Sequence, residues 1–500
     1  MSDAYTLLAF GGAIVALVLL IAKFKVHPVA TLFVIVTTLG LVLGLGGEKT
    51  LKLVTDGFGS TMSSVGLLII FGCVLGKMLE LSGAALRITE EALRWFSGRK
   101  IPWAIALASA VVGIPLIADT VVLMLIPVVS AIAMRSGMSM MRLGPVLYIG
   151  AYVMTSLVPP GPGPLAASAL LGVDLGEAML YGALVGIPGI IAATVYLLTI
   201  KTYVAPKAEY VDHLPAPVAV GAAGGADIAA GSGSTSGSGS TSGSGSAAGS
   251  GDTNSANGTA GTDTAGTDKA AGTDPEAVRL PSLALSLIPI FTPILLIMLD
   301  SYAVDAVGEK SWLGGVLRFL GAPLMALFIG CLTALPLFGR EWRRKSTLND
   351  LFEAGLKLAA LPLALTGVGG ALALIIRDTE VADGAADMIR DLGLSPIIVP
   401  FLVAAAICTI TGSNILGVMT AAAIMEPLMA GLGISALAVY LACGTGAQIM
   451  KHANSSGFWV TTTLSNMTVG QGIRSIGVAS AISGTTGFAV LYVLYAMGLV

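Results

Sequence analysis

Apolar runs of about 20 residues recur from Tyr5 to Val500 and limit the possible folds of this chain more than any other feature. A helix of that length spans the ~30 Å hydrocarbon core of a bilayer. Hydrophobic residues make up 55% of the 500 residues and charged residues only 11%, whereas a soluble domain has about 25% charged residues. A β-barrel would require short alternating strands. The sequence therefore predicts an all-α polytopic membrane protein, whose first run, at 5–22, is a retained helix and not a signal peptide.

Charge, cysteine positions and missing motifs exclude several classes of function. The formal net charge of −3 does not fit the basic surface that binds nucleic acid. The four cysteines lie inside apolar runs at wide spacing, which indicates neither a disulfide framework nor a zinc site. No nucleophile with an adjacent base and no His-Glu-x-x-His motif occurs, so an enzyme is not expected. We expect no metal, cofactor or nucleic-acid partner.

A polar interruption at 444–459 separates two apolar runs and contains the Lys451-His452 pair. Because the bilayer interior offers no water to unpaired backbone groups, such a break is stable only when it packs in protein or lines a cavity. The segment is therefore a candidate binding site. Another break, rich in proline, lies 294 residues earlier at 150–165. In chain order the segment at 150–165 is the first break and the segment at 444–459 is the second break.

The offset of 294 relates the two halves of the chain over a long span. The matching positions are Phe58 and Phe352, Gly76 and Gly370, Pro102 and Pro396, Gly150 and Gly444, Gly163 and Gly457, and Gly176 and Gly470. Between the halves, a Gly/Ser/Thr/Asp-rich segment without apolar periodicity is predicted to be a flexible linker. We therefore predict a first transmembrane repeat at 1–204, a linker at 205–281 and a second repeat at 282–500.

Each repeat is predicted to contain about five transmembrane helices, one of them broken, and one re-entrant hairpin. Helices are expected in the first repeat at 5–22, 28–46, 60–80, 143–158, 165–172 and 178–199, with an amphipathic connector at 81–100. The run at 101–134 is too long for one crossing and is interrupted at 113–120, where Pro115 would break a helix. A re-entrant hairpin with Asp119-Thr120 at its tip fits this pattern, and Ser413-Asn414 falls at the matching tip.

The distribution of basic residues predicts that the two repeats have opposite orientations. Residues 87–100 contain four Lys/Arg, whereas 377–391 contain two among five acids. Conversely, Lys49 and Lys52 in the first repeat match a cluster of four basic residues at 340–345 in the second. By the positive-inside rule the second repeat is inverted, the amino terminus is outside and the linker is cytoplasmic. Inverted repeats with broken helices are typical of secondary transporters.

Several motifs resemble those of the gluconate permease (GntP) family, part of a superfamily of organic-anion carriers. The segments that carry the resemblance are Phe71–Leu79, Val158–Pro164, His452–Trp459 and Asn466–Gly472. The resemblance covers nearly all of both halves and omits the linker. It implies proton-coupled uptake of sugar acids such as gluconate through the cytoplasmic membrane of a bacterium or archaeon.

Four positions, at three sites, depart from the family pattern. Asp119 stands where the family usually has Glu, and Gly161 stands where it has His between the proline pairs. Ser455-Ser456 replaces the Asp-Pro that follows His-x-Asn. Two polar or ionisable groups are thus missing from the pattern, which bears on both the substrate and the coupling ion.

Asp119 is the candidate ion-coupling residue, because a carboxylate in an apolar stretch is costly unless it is paired, hydrated or protonated. The alternative is a residue that only forms hydrogen bonds at the hairpin tip. The candidate substrate-binding residues are Thr120, Pro160, Gly161, Ser413, Asn414, Lys451, His452, Asn454 and Ser455. Their side chains or backbone would hold a carboxylate near the start of the helix after the second break.

Structural alternatives stay open for several of these residues. Lys451 could instead extend to the lipid headgroups, and His452 could form only a helix-to-helix hydrogen bond. The Asn and Ser residues at the breaks could do no more than satisfy backbone groups or cap helices.

The favoured function is a symporter for a small organic anion, with a sugar acid such as gluconate as first choice and H⁺ or Na⁺ as the coupling ion. The alternatives are a Na⁺-coupled carrier of another carboxylate and an anion channel. The expected location is the cytoplasmic membrane, as a multi-pass protein in the lipid bilayer. The oligomeric state stays open, with a homodimer as one alternative.

Overall fold

A computed structural model describes residues 3–24, 26–95, 98–207, 280–307, 311–379, 395–453 and 455–500, and within these ranges the chain is helical without strands. The helices of the first half are α1 (Asp3–Ala22), α2 (Pro28–Val42), α3 (Gly47–Leu81), α4 (Ala84–Trp95), α5 (Ile101–Gly113), α6 (Ala118–Ser136), α7 (Met140–Leu157), α8 (Pro162–Leu171) and α9 (Leu175–Thr199). The all-α prediction is confirmed.

The second half has a similar order of helices. They are α10 (Leu283–Val307), α11 (Trp312–Gly321), α12 (Pro323–Ala334), α13 (Lys345–Arg377), α14 (Ile398–Thr411), α15 (Asn414–Met425), α16 (Met429–Leu432), α17 (Ala436–Gly446), α18 (Ser456–Leu464), α19 (Val469–Gly472) and α20 (Val478–Ala496). A π-helical segment, Ile473–Gly477, joins α19 to α20.

Among the described residues, seven helical segments are long and apolar enough to cross a membrane, or eight if α11 and α12, which meet at a bend of 69°, form one span. The broken segment Met140–Leu171 is the most enclosed of these, because 94% of its apolar window is buried. The molecule is therefore a multi-pass membrane protein with a broken helix at its centre.

The helices of the two halves begin at equivalent positions after both breaks. Pro162 and Ser456 open α8 and α18, and Leu175 and Val469 open α9 and α19, each pair 294 residues apart. The offset found in the sequence thus coincides with helix boundaries. Whether the two halves have opposite orientations in the membrane stays a prediction.

Helix α3 is longer than the sequence pattern predicted. It begins at Gly47 rather than near residue 60 and contains 35 residues. The charged residues Lys49 and Lys52 favoured a loop, but they lie on an exposed face of the helix, while Thr50 and Val54 are buried on the other. Lys49 forms an ion pair with Asp378, at the end of α13.

Helices α3 and α13 pack against each other at close range. They form the scaffold for the hairpin interruption at 113–120 and for the proline-rich break at 150–165. A Cβ on Gly57 would lie 2.6 Å from the Ala371 backbone, and one on Gly355 would lie 2.4 Å from the Val74 side chain. Small residues let helix backbones approach in this way. On α3, Gly72 and Gly76 face the carbonyl groups of Pro160 and Pro115. The hairpin and the proline break therefore rest on α3.

Two sequence predictions concern the connecting segments. The amphipathic connector forms α4, on which Arg87 pairs with Glu91 at 3.3 Å. The linker at 205–281 lies almost wholly outside the described residues, so its flexibility stays a prediction.

Candidate functional site

The tip of the first hairpin contacts the second break. Helix α5 ends at Gly113 and α6 begins at Ala118, so the predicted interruption around Pro115 is confirmed. Asp119 lies in the first turn of α6, half-buried, and its Oδ2 accepts a hydrogen bond of 2.5 Å from the hydroxyl of Ser456. Two halves of the sequence thus meet at one side-chain contact.

Gly457 allows this close approach. A Cβ at Gly457 would lie 2.4 Å from Asp119 Oδ1 and 2.6 Å from the Tyr148 ring and hydroxyl. Asp119 is therefore packed on the first turn of α18, where unpaired N–H groups and the helix dipole favour negative charge. Sequence reasoning expected a substrate carboxylate at this position, and the structure places the chain's own carboxylate there. Thr120 lies beside it, also half-buried.

Ser455 precedes α18 but does not act as its cap. Its backbone occupies the N-cap position, yet its side chain makes no capping hydrogen bond. The hydroxyl instead accepts a hydrogen bond of 3.1 Å from Lys451 Nζ and also contacts Tyr148. The capping alternative for Ser455 is therefore wrong, because the buried ammonium donates to the same oxygen. Asn454 lies outside the described residues.

Lys451 is buried in the second break. Its side chain is only 3% exposed, and Nζ donates to the Gly412 carbonyl at 2.5 Å. The ammonium also lies 4.9 Å from the centroid of the Tyr152 ring. A lysine that extended to lipid headgroups would leave its ammonium in water, so the snorkelling alternative is wrong. Lys451 belongs to the protein interior.

His452 contacts the same helix end as Lys451. Its Nε2 lies 3.0 Å from the carbonyl oxygen of Thr409. A carbonyl oxygen only accepts, so Nε2 carries the hydrogen in this contact. Since α14 ends at Thr411, Lys451 and His452 satisfy carbonyls at its carboxyl end.

The tip of the second hairpin contacts the first break. Ser413 caps α15 by accepting a hydrogen bond from the Leu416 backbone at 3.3 Å, which confirms the backbone-satisfying alternative for this residue. Asn414 Nδ2 donates to the Ser156 hydroxyl at 3.0 Å. A Cβ on Gly163 would lie 3.4 Å from Ile415 Cα, an ordinary contact. The side-chain contact between the second hairpin tip and the first break is thus made by neutral groups.

Pro160 and Gly161 form the buried centre of the first break. Pro160 directs its carbonyl toward Gly72 of α3, and a Cβ on Gly161 would lie 3.4 Å from the Ile114 carbonyl. Both residues therefore contact their own half directly. They approach the second hairpin through their neighbours Ser156 and Gly163.

Tyrosines that sequence reasoning missed connect the two broken helices. The Tyr152 hydroxyl on α7 donates to the Ala447 carbonyl, at the end of α17, at 2.6 Å. Reciprocally, the Tyr440 hydroxyl on α17 donates to the Leu157 carbonyl, at the end of α7, at 2.7 Å. Buried tyrosines usually have a hydrogen-bond partner. In the sequence, the position of both tyrosines inside otherwise apolar helices could have indicated that their hydroxyl groups have partners in the protein.

The four segments place opposite electrostatic features next to each other. The positive end of α18 faces Asp119, and the negative end of α14 faces Lys451 and His452. Asp119 is close enough to interact electrostatically with the Lys451 ammonium. Within the described part of the chain, no group of three His, Cys, Asp or Glu residues could hold a metal ion. The arrangement is suited to binding a carboxylate together with hydroxyl groups.

Comparisons with known proteins agree with this architecture. A family model described as GntP family permease matches residues 5–219 and 215–498. Similar proteins include a gluconate permease of Pseudomonas aeruginosa, 30% identical with 98% of each chain covered, and the D-serine transporter DsdX of Escherichia coli O6:H1, 26% identical with 96% of each covered. The crystal structure of the Alcanivorax borkumensis YdaH transporter, described as having an unusual topology, matches 94% of this chain and 98% of its own with a TM-score of 0.60 at 13% identity. That last likeness concerns the fold alone.

Proposed function

The chain belongs to the GntP permease family, and we propose that it is a symporter that carries a small organic anion, a sugar acid such as gluconate, together with H⁺. It is a multi-pass protein of the cytoplasmic membrane and not an enzyme. The gluconate permease among its relatives supports the substrate class.

One observation carries the proposal: the Asp119 carboxylate packs against the first turn of α18, where it accepts a hydrogen bond from Ser456 and contacts Gly457. A substrate carboxylate would bind best at the same helix start. Two carboxylates at one site repel each other unless one of them is protonated. Substrate and proton therefore bind together, because protonation of Asp119 neutralises the residue that competes with the substrate.

The proposed substrate-binding residues come from both breaks and both hairpin tips. They are Thr120, Pro160, Gly161, Ser413, Asn414, Lys451, His452, Asn454 and Ser455. Lys451 contributes fixed positive charge from behind Ser455, which attracts an anion without direct contact. The amide of Asn414 and the hydroxyls of Thr120 and Ser413 are suited to the hydroxyl groups of a sugar acid.

Uptake into proteoliposomes tests the substrate and the coupling ion together. Labelled gluconate and labelled D-serine are offered under an inward proton gradient in choline medium, and separately under an inward Na⁺ gradient without a pH difference. We expect accumulation of gluconate above equilibrium under the proton gradient alone, and saturation with substrate concentration.

Three results would contradict the proposal in different ways. Accumulation that requires Na⁺ would mean that the coupling ion is Na⁺ and not H⁺. Accumulation of D-serine but not gluconate would mean that the substrate is not a sugar acid. Equilibration without accumulation under either gradient would favour the anion channel.

A further inference from the structure

The ammonium group of Lys451 has a complete set of partners. It donates to the Gly412 carbonyl and the Ser455 hydroxyl, and it lies against the face of the Tyr152 ring. An ammonium has three N–H donors, so a carbonyl, a hydroxyl and an aromatic face can each take one. The same three groups are suited to a free small cation with N–H donors, one that is not part of the chain.

The burial of this charge is compensated without an ion pair. The ion pairs within the described residues do not include Lys451, although Asp119 acts on it electrostatically over a longer distance. Burying an isolated ion costs several kcal/mol unless other groups replace its hydration. Gly412, at φ 74°, ends α14 and turns its carbonyl toward Nζ, at the negative end of the helix dipole. Carbonyls at helix carboxyl ends are the groups that hold coupling cations in transporters.

We propose that the Gly412 carbonyl, the Ser455 hydroxyl and the Tyr152 ring form a monovalent-cation site, which the chain fills with its own Lys451 side chain. The ammonium fastens the tip of the second hairpin to the second break. Without the lysine side chain, the site takes a small primary alkylammonium ion, which has the same donors. One consequence is that transport needs no external Na⁺. This consequence rests on the proposed function, whereas the existence of the cation site does not depend on it.

Thermal unfolding of the purified protein tests the site without a transport assay. Thermal unfolding is measured in choline, sodium and methylammonium chloride at equal ionic strength. The proteins compared are the full chain without substitution, Lys451→Ala and Lys451→Met. Lys451→Ala removes the charge and leaves space for the ion. Lys451→Met is the matched control, because its side chain removes the charge and fills the space. We expect a saturable rise in melting temperature with methylammonium, of at least about 2 °C, only in Lys451→Ala.

The other possible results each support or overturn the proposal. A saturable rise with Na⁺ or methylammonium in the full chain would mean that the lysine does not occupy the cation site. Equal responses of the Ala and Met variants would mean that the added ion acts elsewhere. If Lys451→Ala yields no folded protein in choline, recovery of folded protein in methylammonium supports the site. Failure in both salts while Lys451→Met folds overturns it.

Discussion

Each hairpin tip packs against the break of the other half, and we call these two contacts the crossings. The two crossings differ in chemistry more than in position. In the first crossing, a carboxylate, Asp119, contacts the exposed hydroxyl of Ser456. In the second, a neutral amide, Asn414, contacts the hydroxyl of Ser156, which is 1% exposed. Gly457 and Gly163 occupy equivalent positions in the two crossings, yet the first is far tighter. The two crossings thus have similar scaffolds, and of these two tip-to-break contacts only the first is made by a carboxylate.

This difference indicates how the work is divided between the halves. A neutral, partly buried hydrogen bond holds two segments together with little dependence on ions. A carboxylate at a helix start responds to protonation and to any competing anion. We therefore expect the first crossing to control ion coupling and the second to control positioning.

The largest effect is expected from Asp119→Asn. Asparagine keeps the shape and removes the charge that competes with substrate, so accumulation should fall to equilibrium while substrate exchange continues. Counterflow and gradient-driven uptake in proteoliposomes measure the two processes separately. Ser413→Ala, at the equivalent position of the second crossing, is the control; it loses a helix cap that is worth about 1 kcal/mol and should still accumulate substrate.

If Asp119→Asn accumulates substrate at the wild-type level, the coupling group lies elsewhere. If Ser413→Ala also loses accumulation while exchange persists, the two crossings share the coupling role, and the comparison fails.

A smaller effect is expected from adding a methyl group at each crossing. In Gly457→Ala the new Cβ would lie 2.4 Å from Asp119 Oδ1, so Asp119 and Tyr148 must move and the transport rate should fall by about tenfold, equivalent to 1.4 kcal/mol. In Gly163→Ala the nearest atom is 3.4 Å away, and alanine favours the helix, so transport should change by less than about twofold. Initial uptake rates at equal amounts of folded protein measure both. Equal losses would show that the crossings are equally tight.

The sequence predicted both breaks and the helix ends at both hairpin tips, because each depends on local residues. The inverted repeat stays a prediction. Proline, glycine and polar side chains in an apolar run mark a helix break wherever the helix packs. The sequence-based prediction was wrong for the start of α3, where Lys49 and Lys52 indicated a loop. Exposed charged residues are compatible with a loop and equally with a helix end that projects from the apolar layer.

The site was predictable as a set of segments but not as a set of contacts. The hydroxyl of Ser455 could cap a helix or bind an ammonium, and only the fold places Lys451 within 3.1 Å of it. The paired tyrosines, Tyr152 and Tyr440, cap helices of the opposite half. Such contacts between distant parts of the chain follow from packing, which one sequence does not specify.

The smallest effect is expected from the Asn414–Ser156 hydrogen bond, and a double-mutant cycle measures it. Asn414→Ala, Ser156→Ala and the double variant each remove the neutral bond that joins the second tip to the first break. A bond of this kind contributes about 0.5–1.5 kcal/mol, so we expect the two single losses of stability to be non-additive by about 1 kcal/mol in thermal unfolding. The apparent KM for substrate should rise by about two- to fivefold, because Asn414 also lies in the proposed site, whereas accumulation at saturating substrate should persist. Loss of accumulation in either single variant, at the level expected for Asp119→Asn, would assign ion coupling to the neutral crossing and reverse the division between the halves.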